Sequence, residues 1–284
     1  MQLRKIVTCS LCLCLLGCQS NTKTYEMIKP KNNEKLLIDE NNCSLVHYDI
    51  NTNTAGQEEI LHKNDGFYVS KEADSLVSLG NNKTNQYTLY KKGKTLKKIK
   101  SFKKGEGVFP LSHYGEYLLV CRKIYNKDGG CQSSSLYGYD ENGKVQKNYH
   151  INKDIFDGAE YQKHLYYTVY DENHDYYSLY KDNVKIKECQ GGDLYVINGK
   201  LYCENKNIEP VFGEKDVTFP LADSTYVLGN YVLQYASDKG FVELHVYDSK
   251  GKTVDTISNP VSFEKEGHTL TIYCNGGIKT YECH

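Results

Sequence analysis

The chain has 284 residues, which allows one large domain or two smaller ones. Its formal charge is −1, and a nearly neutral chain argues against nucleic-acid binding, which needs a basic surface to displace counterions from phosphates. The mean hydropathy of −0.62 excludes a polytopic membrane protein. Tyr occurs 26 times and Trp is absent. Because aromatic residues favour strands, this composition indicates an all-β domain.

The N-terminal segment has the organisation of an export signal. Arg4 and Lys5 form a positive start, and residues 6–16 are a mostly apolar run that is too short to span a bilayer. The run ends in Leu15-Leu16-Gly17-Cys18, which resembles the lipobox of bacterial lipoproteins. The resemblance implies cleavage before Cys18, a diacylglycerol group on its thiol and acylation of the new amine. The alternative is an ordinary secretory signal in which a cysteine happens to stand here.

The chain divides into three parts. Residues 1–17 are predicted to be the signal peptide, residues 18–35 a mostly polar, lipid-anchored tether, and residues 36–284 the folded domain. Several acyl chains anchor a protein stably where a single chain does not. The sequence therefore predicts a lipoprotein, carrying acyl chains such as palmitate, on the extracytoplasmic side of a bacterial membrane.

Beyond residue 35 the sequence predicts a series of short strands. Residues 117–121, 164–170 and 226–233 are apolar runs of strand length, as expected for strands buried on both faces. No segment has a sustained helical period with caps. Asn-Gly pairs at 142–143 and 198–199 supply the positive φ angles that tight hairpins need.

An apolar strand that ends in Tyr and is followed by a polar turn recurs along the chain. The aligned residues are Tyr48, Tyr90, Tyr139, Tyr180 and Tyr247, so the spacings are 42, 49, 41 and 67 residues. The last gap indicates a degenerate unit, with residues 201–204 as its remnant. A period of about 40–50 residues in an all-β chain predicts propeller blades of four strands.

The repeat resembles the divergent β-propellers of bacterial surface lipoproteins. At roughly 42 residues a blade, residues 36–284 predict about six blades, or seven if some are short. The competing fold is a β-sandwich, which needs no repeat of the Tyr-turn unit.

The predicted strand near residues 36–38 and the C-terminal hairpin at 268–283 lie at opposite ends of this domain. A propeller whose last blade lacks a strand can borrow one from the N-terminus, which removes open sheet edges. The sequence therefore predicts that the N-terminal strand adds to the C-terminal blade. A Cys43–Cys283 disulfide would be compatible with that closure.

The sequence contains no known catalytic, nucleotide-binding or metal-binding motif, so it predicts no catalytic, cofactor-binding or metal residue. The densest polar cluster is Asp171–Asp175, which is interpreted either as a cation or ligand contact or as a hairpin turn. The surrounding hairpin contains six tyrosines, which suit a sugar or peptide surface or the packing between blades: Tyr166, Tyr167, Tyr170, Tyr176, Tyr177 and Tyr180.

Seven cysteines follow Cys18 in the sequence, an odd number. Export makes disulfides possible. Cys121 and Cys131 flank a predicted turn, and a disulfide between them is one interpretation. The other is that the thiols pack as small apolar side chains.

The leading functional prediction is a cell-surface binding or scaffolding module for a protein, peptide or glycan, with no cofactor and no nucleic acid. One alternative is a carbohydrate-active hydrolase or lyase that uses loop carboxylates such as Asp140 or Asp248, although turn chemistry accounts for both residues. Another is an envelope assembly factor that holds its partners by strand addition.

Overall fold

The computed structural model describes residues 33–39, 44–59, 67–73, 76–81, 83–91, 96–111, 116–140, 142–151, 153–213, 217–238 and 241–283. The regular elements within these ranges are 25 β-strands, in agreement with the all-β prediction. In this part of the chain no helix is long and apolar enough to cross a membrane. The predicted signal peptide and most of the tether, residues 1–32, lie outside the described residues.

The strands form seven antiparallel sheets that follow one another in chain order, and each sheet is called a blade below. Blade 1 contains β1 (Glu34–Asp39), β2 (Ser44–Asp49) and β3 (Thr54–Glu59). Blade 2 contains β4 (Phe67–Ala73), β5 (Leu76–Asn81), β6 (Gln86–Lys91) and β7 (Lys97–Ser101). Blade 3 contains β8 (Glu106–Pro110), β9 (Leu118–Tyr125), β10 (Cys131–Tyr139) and β11 (Val145–Tyr149). Blade 4 contains β12 (Ile155–Tyr161), β13 (His164–Asp171), β14 (Tyr176–Lys181) and β15 (Val184–Cys189).

The remaining strands complete the other three blades. Blade 5 contains β16 (Leu194–Ile197), β17 (Lys200–Glu204) and β18 (Ile208–Pro210). Blade 6 contains β19 (Ser224–Leu228), β20 (Tyr231–Asp238), β21 (Phe241–Asp248) and β22 (Thr253–Ser258). Blade 7 contains β23 (Pro260–Glu266), β24 (Thr269–Cys274) and β25 (Gly277–Glu282).

Seven apolar clusters hold the blades together, one at each boundary between neighbouring sheets. The last cluster joins blade 7 to blade 1, so the sheets close into a ring. The fourth strand of a four-stranded blade, such as β7 or β11, is mostly exposed and lies on the outside. Each sheet therefore buries both faces against its neighbours, and the fold is a seven-bladed β-propeller rather than a β-sandwich.

Seven blades fit into this chain because three of them are short. Blades 1, 5 and 7 each have three strands in the part of the chain that the structure describes. The degenerate unit predicted around residues 201–204 is blade 5, whose strands are only three to five residues long. Its brevity explains why the Tyr-turn unit is not seen there in the sequence.

One predicted strand is wrong. Residues 226–233 were expected to form a single buried strand, but the chain turns at Gly229 and Asn230 and forms the β19–β20 hairpin. Gly229 has a φ of +63°, which suits glycine because it lacks a Cβ atom. A two-residue turn of this kind is so short that the apolar residues on its two sides resemble one continuous strand in the sequence.

The predicted mode of ring closure is also wrong. Strand β1 pairs with β2 in its own sheet, with Leu37 opposite Val46, and blade 7 keeps three strands. β1 and β2 are adjacent in sequence, and antiparallel strands that follow one another readily pair as a hairpin. Cys43 lies outside the described residues, so its predicted link to Cys283 stays a prediction.

The two ends of the domain still meet, by packing rather than by strand exchange. This seam between blades 7 and 1 buries Leu37, Val46, Tyr48, Val261 and Tyr273. Backbone contacts reinforce it, since the Gly276 amide donates to the Asn53 carbonyl at 2.7 Å and the Ala55 amide donates to the Asn275 side chain at 3.1 Å.

Candidate functional site

The Tyr-rich hairpin of blade 4 separates into a buried part and an exposed part. Tyr166 and Tyr167 lie in the blade interfaces and are fully buried. Tyr170, near the end of the same strand, is 43 % exposed. The tyrosines of the hairpin therefore pack between blades at one end and form an exposed aromatic surface at the other end.

An aromatic patch is formed by Phe156, Tyr170 and Tyr177. The Tyr177 ring lies 4.8 Å from the Phe156 ring and 5.1 Å from the Tyr170 ring, between centroids. Phe156 is 39 % exposed, so the patch presents two large aromatic faces to solvent. A group of exposed aromatic residues indicates a binding surface more strongly than a single exposed apolar residue does.

The connection between blades 4 and 5 lies against this patch. A Cβ atom on Gly192 would come within 2.3 Å of the Phe156 ring and 2.6 Å of the Tyr177 ring. Glycine is therefore required for the chain to pass so close to the rings. Sequence reasoning found the tyrosines but missed Phe156, although the Gly191-Gly192 pair was visible as a turn signal.

Three carboxylates lie near the aromatic patch. Burial raises the pKa of the Tyr177 phenol, and three negative side chains raise it further. These three residues form an acidic rim: Asp175, Asp193 and Glu204. Asp175 also accepts a hydrogen bond from the Tyr170 hydroxyl at 2.8 Å. The arrangement offers π-faces and negative charge together, which suits a cationic group.

The turn at Asp171–Asp175 uses its polar groups for its own geometry. The Asp171 carboxylate accepts the Asn173 amide at 3.0 Å, and the Asp171 carbonyl accepts the Asp175 amide at 3.0 Å. Among the described residues no group of three His, Cys, Asp or Glu side chains is arranged to hold a metal. Asp171 therefore serves as a turn residue that positions Asp175 on the acidic rim.

Asp140 and Asp248 have the same local structure in blades 3 and 6. Each carboxylate accepts two backbone amides at 2.9 Å, two and four residues further along the chain. The backbone amide of each aspartate donates to the carbonyl of the residue four positions later, also at 2.9 Å. Both aspartates thus begin the turn of the Tyr-turn unit, and these bonds account for their carboxylates.

A cleft of about 280 Å³ lies where blade 3 meets blade 4. Its lining includes Tyr149 from β11, Glu160 from β12 and Asp182 from the β14–β15 turn. Tyr149 Oη and Glu160 Oε2 are buried and have no hydrogen-bond partner among the described residues. Burial raises the pKa of Tyr149 to about 12, and the nearby Glu160 charge adds to that shift. Asp182 accepts the Leu165 amide at 3.0 Å, so it helps to hold blade 4 together.

The structure does not bring the predicted Cys121–Cys131 pair together. Cys131 lies opposite Tyr125, and Cys121 lies opposite Leu136 in the same β9–β10 ladder. Residues 121 and 125 are four apart on β9, which corresponds to roughly 13 Å at the rise of a strand. A disulfide needs Cα atoms about 4.4–6.8 Å apart, so this register keeps the two thiols from bonding.

No family model matches this sequence, and no curated protein matches it. Among solved structures the chain is similar to Kluyveromyces lactis Hsv2, with 14 % identity and a TM-score of 0.43 over 75 % of this chain and 72 % of that one. It is similar to BamB from Moraxella catarrhalis, with 9 % identity and a TM-score of 0.41 over 88 % and 91 % of the two chains. It is also similar to a catalytically inactive virginiamycin B lyase from Staphylococcus aureus, with 12 % identity and a TM-score of 0.43 over 78 % and 86 %. These likenesses concern the β-propeller fold alone.

Proposed function

We propose that this protein is an extracytoplasmic binding module in which the aromatic patch and its acidic rim take a cationic segment of a partner protein or peptide. The observation that carries the proposal is the exposure of Phe156 and Tyr170, with the Asp175 carboxylate 2.8 Å from the Tyr170 hydroxyl. A guanidinium or ammonium group over an aromatic face is attracted to the ring quadrupole, and adjacent carboxylates add charge complementarity. Aromatic side chains are also the usual anchors of binding interfaces.

The proposed location is the outer side of a bacterial membrane, with Cys18 as the lipid attachment site. The support for this part is the sequence of residues 1–18, which has the order of a lipoprotein signal. A mostly polar tether from residue 18 to residue 35 would let the propeller reach a partner at some distance from the bilayer.

The proposal does not extend to catalysis. Glycoside hydrolysis uses two carboxylates that flank the scissile bond. In the cleft between blades 3 and 4, Glu160 is one carboxylate, but both oxygens of Asp182 are engaged, one with the Leu165 amide and the other with the His164 ring. The arrangement therefore favours binding over hydrolysis.

The test is fluorescence anisotropy with two labelled, unstructured peptides, one of Arg and Gly and its charge-reversed counterpart of Glu and Gly. The wild-type chain is compared with a double variant carrying Phe156→Ser and Tyr170→Ser. The control carries Val184→Ser and Ile186→Ser, which replaces two exposed apolar residues at the opposite end of the same blade. Loss of two cation–π contacts should weaken binding of the Arg peptide about 5- to 30-fold.

The control variant should bind the Arg peptide as the wild type does, and the Glu peptide should not bind. Equal affinity of the patch variant and the control variant for the Arg peptide would reject the patch as the binding surface. Equal affinity of the wild type for both peptides would reject a cationic partner.

A further inference from the structure

Two cysteines that no motif singles out meet at the boundary between blades 4 and 5. Cys189 is the last residue of β15, and Cys203 lies in β17. Both are buried in the same apolar cluster, with 2 % and 0 % of their surface exposed. Both are free thiols, and they lie on either side of the boundary.

The backbone beside the two cysteines fixes their relative position. The amides of Gln190 and Gly191 both donate to the Glu204 carbonyl, at 2.9 and 3.1 Å. Gln190, which follows Cys189, is thus bonded to Glu204, which follows Cys203. Because both side chains lie in one packed cluster beside these backbone bonds, little movement is needed to join the sulfur atoms.

We propose that Cys189 and Cys203 form an intramolecular disulfide that joins blade 4 to blade 5. The oxidant is a disulfide-bearing small molecule of the oxidised glutathione class, or the disulfide of a thiol oxidoreductase. The inference concerns this pair alone and does not depend on the binding function proposed above.

The exchange balances in two steps. The thiolate of one of the two cysteines attacks one sulfur of the oxidant, forming a mixed disulfide and releasing one thiolate, which takes up a proton. The other cysteine then loses its proton and attacks the Sγ atom of the first, which releases the second thiol of the oxidant. The protein loses two protons and two electrons, and the oxidant is reduced to two thiols.

A thiolate is the attacking species in disulfide exchange, and either of the two cysteines can supply it. Since both thiols are buried in the folded protein, exchange proceeds while the chain folds, before the boundary between the blades is packed.

The proposed bond would close a loop of 15 residues, from 189 to 203 inclusive. The loop contains Gly192, which packs against Phe156 and Tyr177. The disulfide would therefore fix the connection that lies against the aromatic patch, as well as linking two blades that are otherwise held by packing and hydrogen bonds.

The test is to refold the full chain in a mixture of reduced and oxidised glutathione, and in parallel in reductant alone. Remaining thiols are alkylated, and the digested protein is mapped by mass spectrometry. We expect one peptide pair linked through Cys189 and Cys203, lighter by two hydrogen atoms than the two separate peptides. For a 15-residue loop, the oxidised protein should melt roughly 5–10 °C above the reduced protein.

Two double variants complete the test. The pair Cys121→Ser and Cys131→Ser should retain the linked peptides, whereas the pair Cys189→Ser and Cys203→Ser should lose both the linked peptides and the redox-dependent melting shift. Alkylation of both Cys189 and Cys203 in the oxidised wild type would overturn the proposal, and so would linkage of either to another cysteine. The wild-type map alone decides the question if the second variant does not fold.

Discussion

Tyr48 offers the most direct test of how the ring closes. Its side chain is fully buried at the seam, where it packs edge-on against Tyr273 with ring centroids 5.1 Å apart. Its hydroxyl donates to the Cys274 carbonyl at 2.7 Å, across the boundary between blades 1 and 7. Removing this one side chain therefore perturbs packing and hydrogen bonding between the first and last blades together.

The two substitutions at Tyr48 separate these effects. Tyr48→Phe removes only the hydroxyl, which should cost about 1 kcal/mol and lower Tm by roughly 2–4 °C. Tyr48→Ala also leaves a cavity, which should cost about 3–5 kcal/mol and lower Tm by roughly 6–20 °C. The larger loss is a substantial part of the 5–15 kcal/mol that stabilises a typical domain.

Thermal melting and hydrogen exchange of the backbone amides measure these effects, with Tyr167→Phe and Tyr167→Ala as controls. Tyr167 is equally buried, but its hydroxyl bonds to Asn183 within blade 4, at 2.9 Å. Both alanine variants should melt early, yet only Tyr48→Ala should speed exchange in β23–β25. Unchanged Tm in both Tyr48 variants, or equal exchange in blade 7 for the Tyr48 and Tyr167 variants, would refute closure by packing at the seam.

Three further outcomes are expected. Cys18→Ala should abolish palmitate labelling and release the protein from the membrane fraction, and unchanged labelling would remove the lipoprotein interpretation. Deleting residues 36–50, which include most of β1 and β2, should abolish the cooperative melt seen by circular dichroism. Deleting residues 19–32 should leave Tm unchanged. Equal Tm values for the two truncations would show that β1 and β2 are not needed for the stability of the ring. Burial acts to raise the pKa of Glu106, but the 2.6 Å hydrogen bond and charge of Arg122 outweigh it and hold that pKa below its usual value. The stability that this pair contributes is present above the pKa of Glu106 in the unfolded chain and is lost as the pH falls through its pKa in the folded protein. Glu106→Gln should therefore cost about 1–2 kcal/mol of unfolding free energy near neutral pH and less in acid. An equal cost at both pH values in urea titrations would contradict this role of the pair.

Local signals account for what the sequence determined by itself. The Tyr-turn unit predicted an all-β repeat because its chemistry is contained within a few residues. Asp140 and Asp248 accept amides only two and four positions away, so the turn forms wherever this short pattern occurs. The interpretation of Asp171–Asp175 as a hairpin turn follows from the same short-range bonds.

Contacts between blades decided the rest, because they join residues that no local pattern relates. The number of blades depended on three short sheets, and β1 took its neighbour β2 as partner rather than the C-terminal blade. Tyr166 and Tyr170 lie on one strand, yet the packing of blade 5 buries the first and leaves the second exposed. Cys189 and Cys203 belong to different sheets, so only the packing of one blade on the next brings their thiols together.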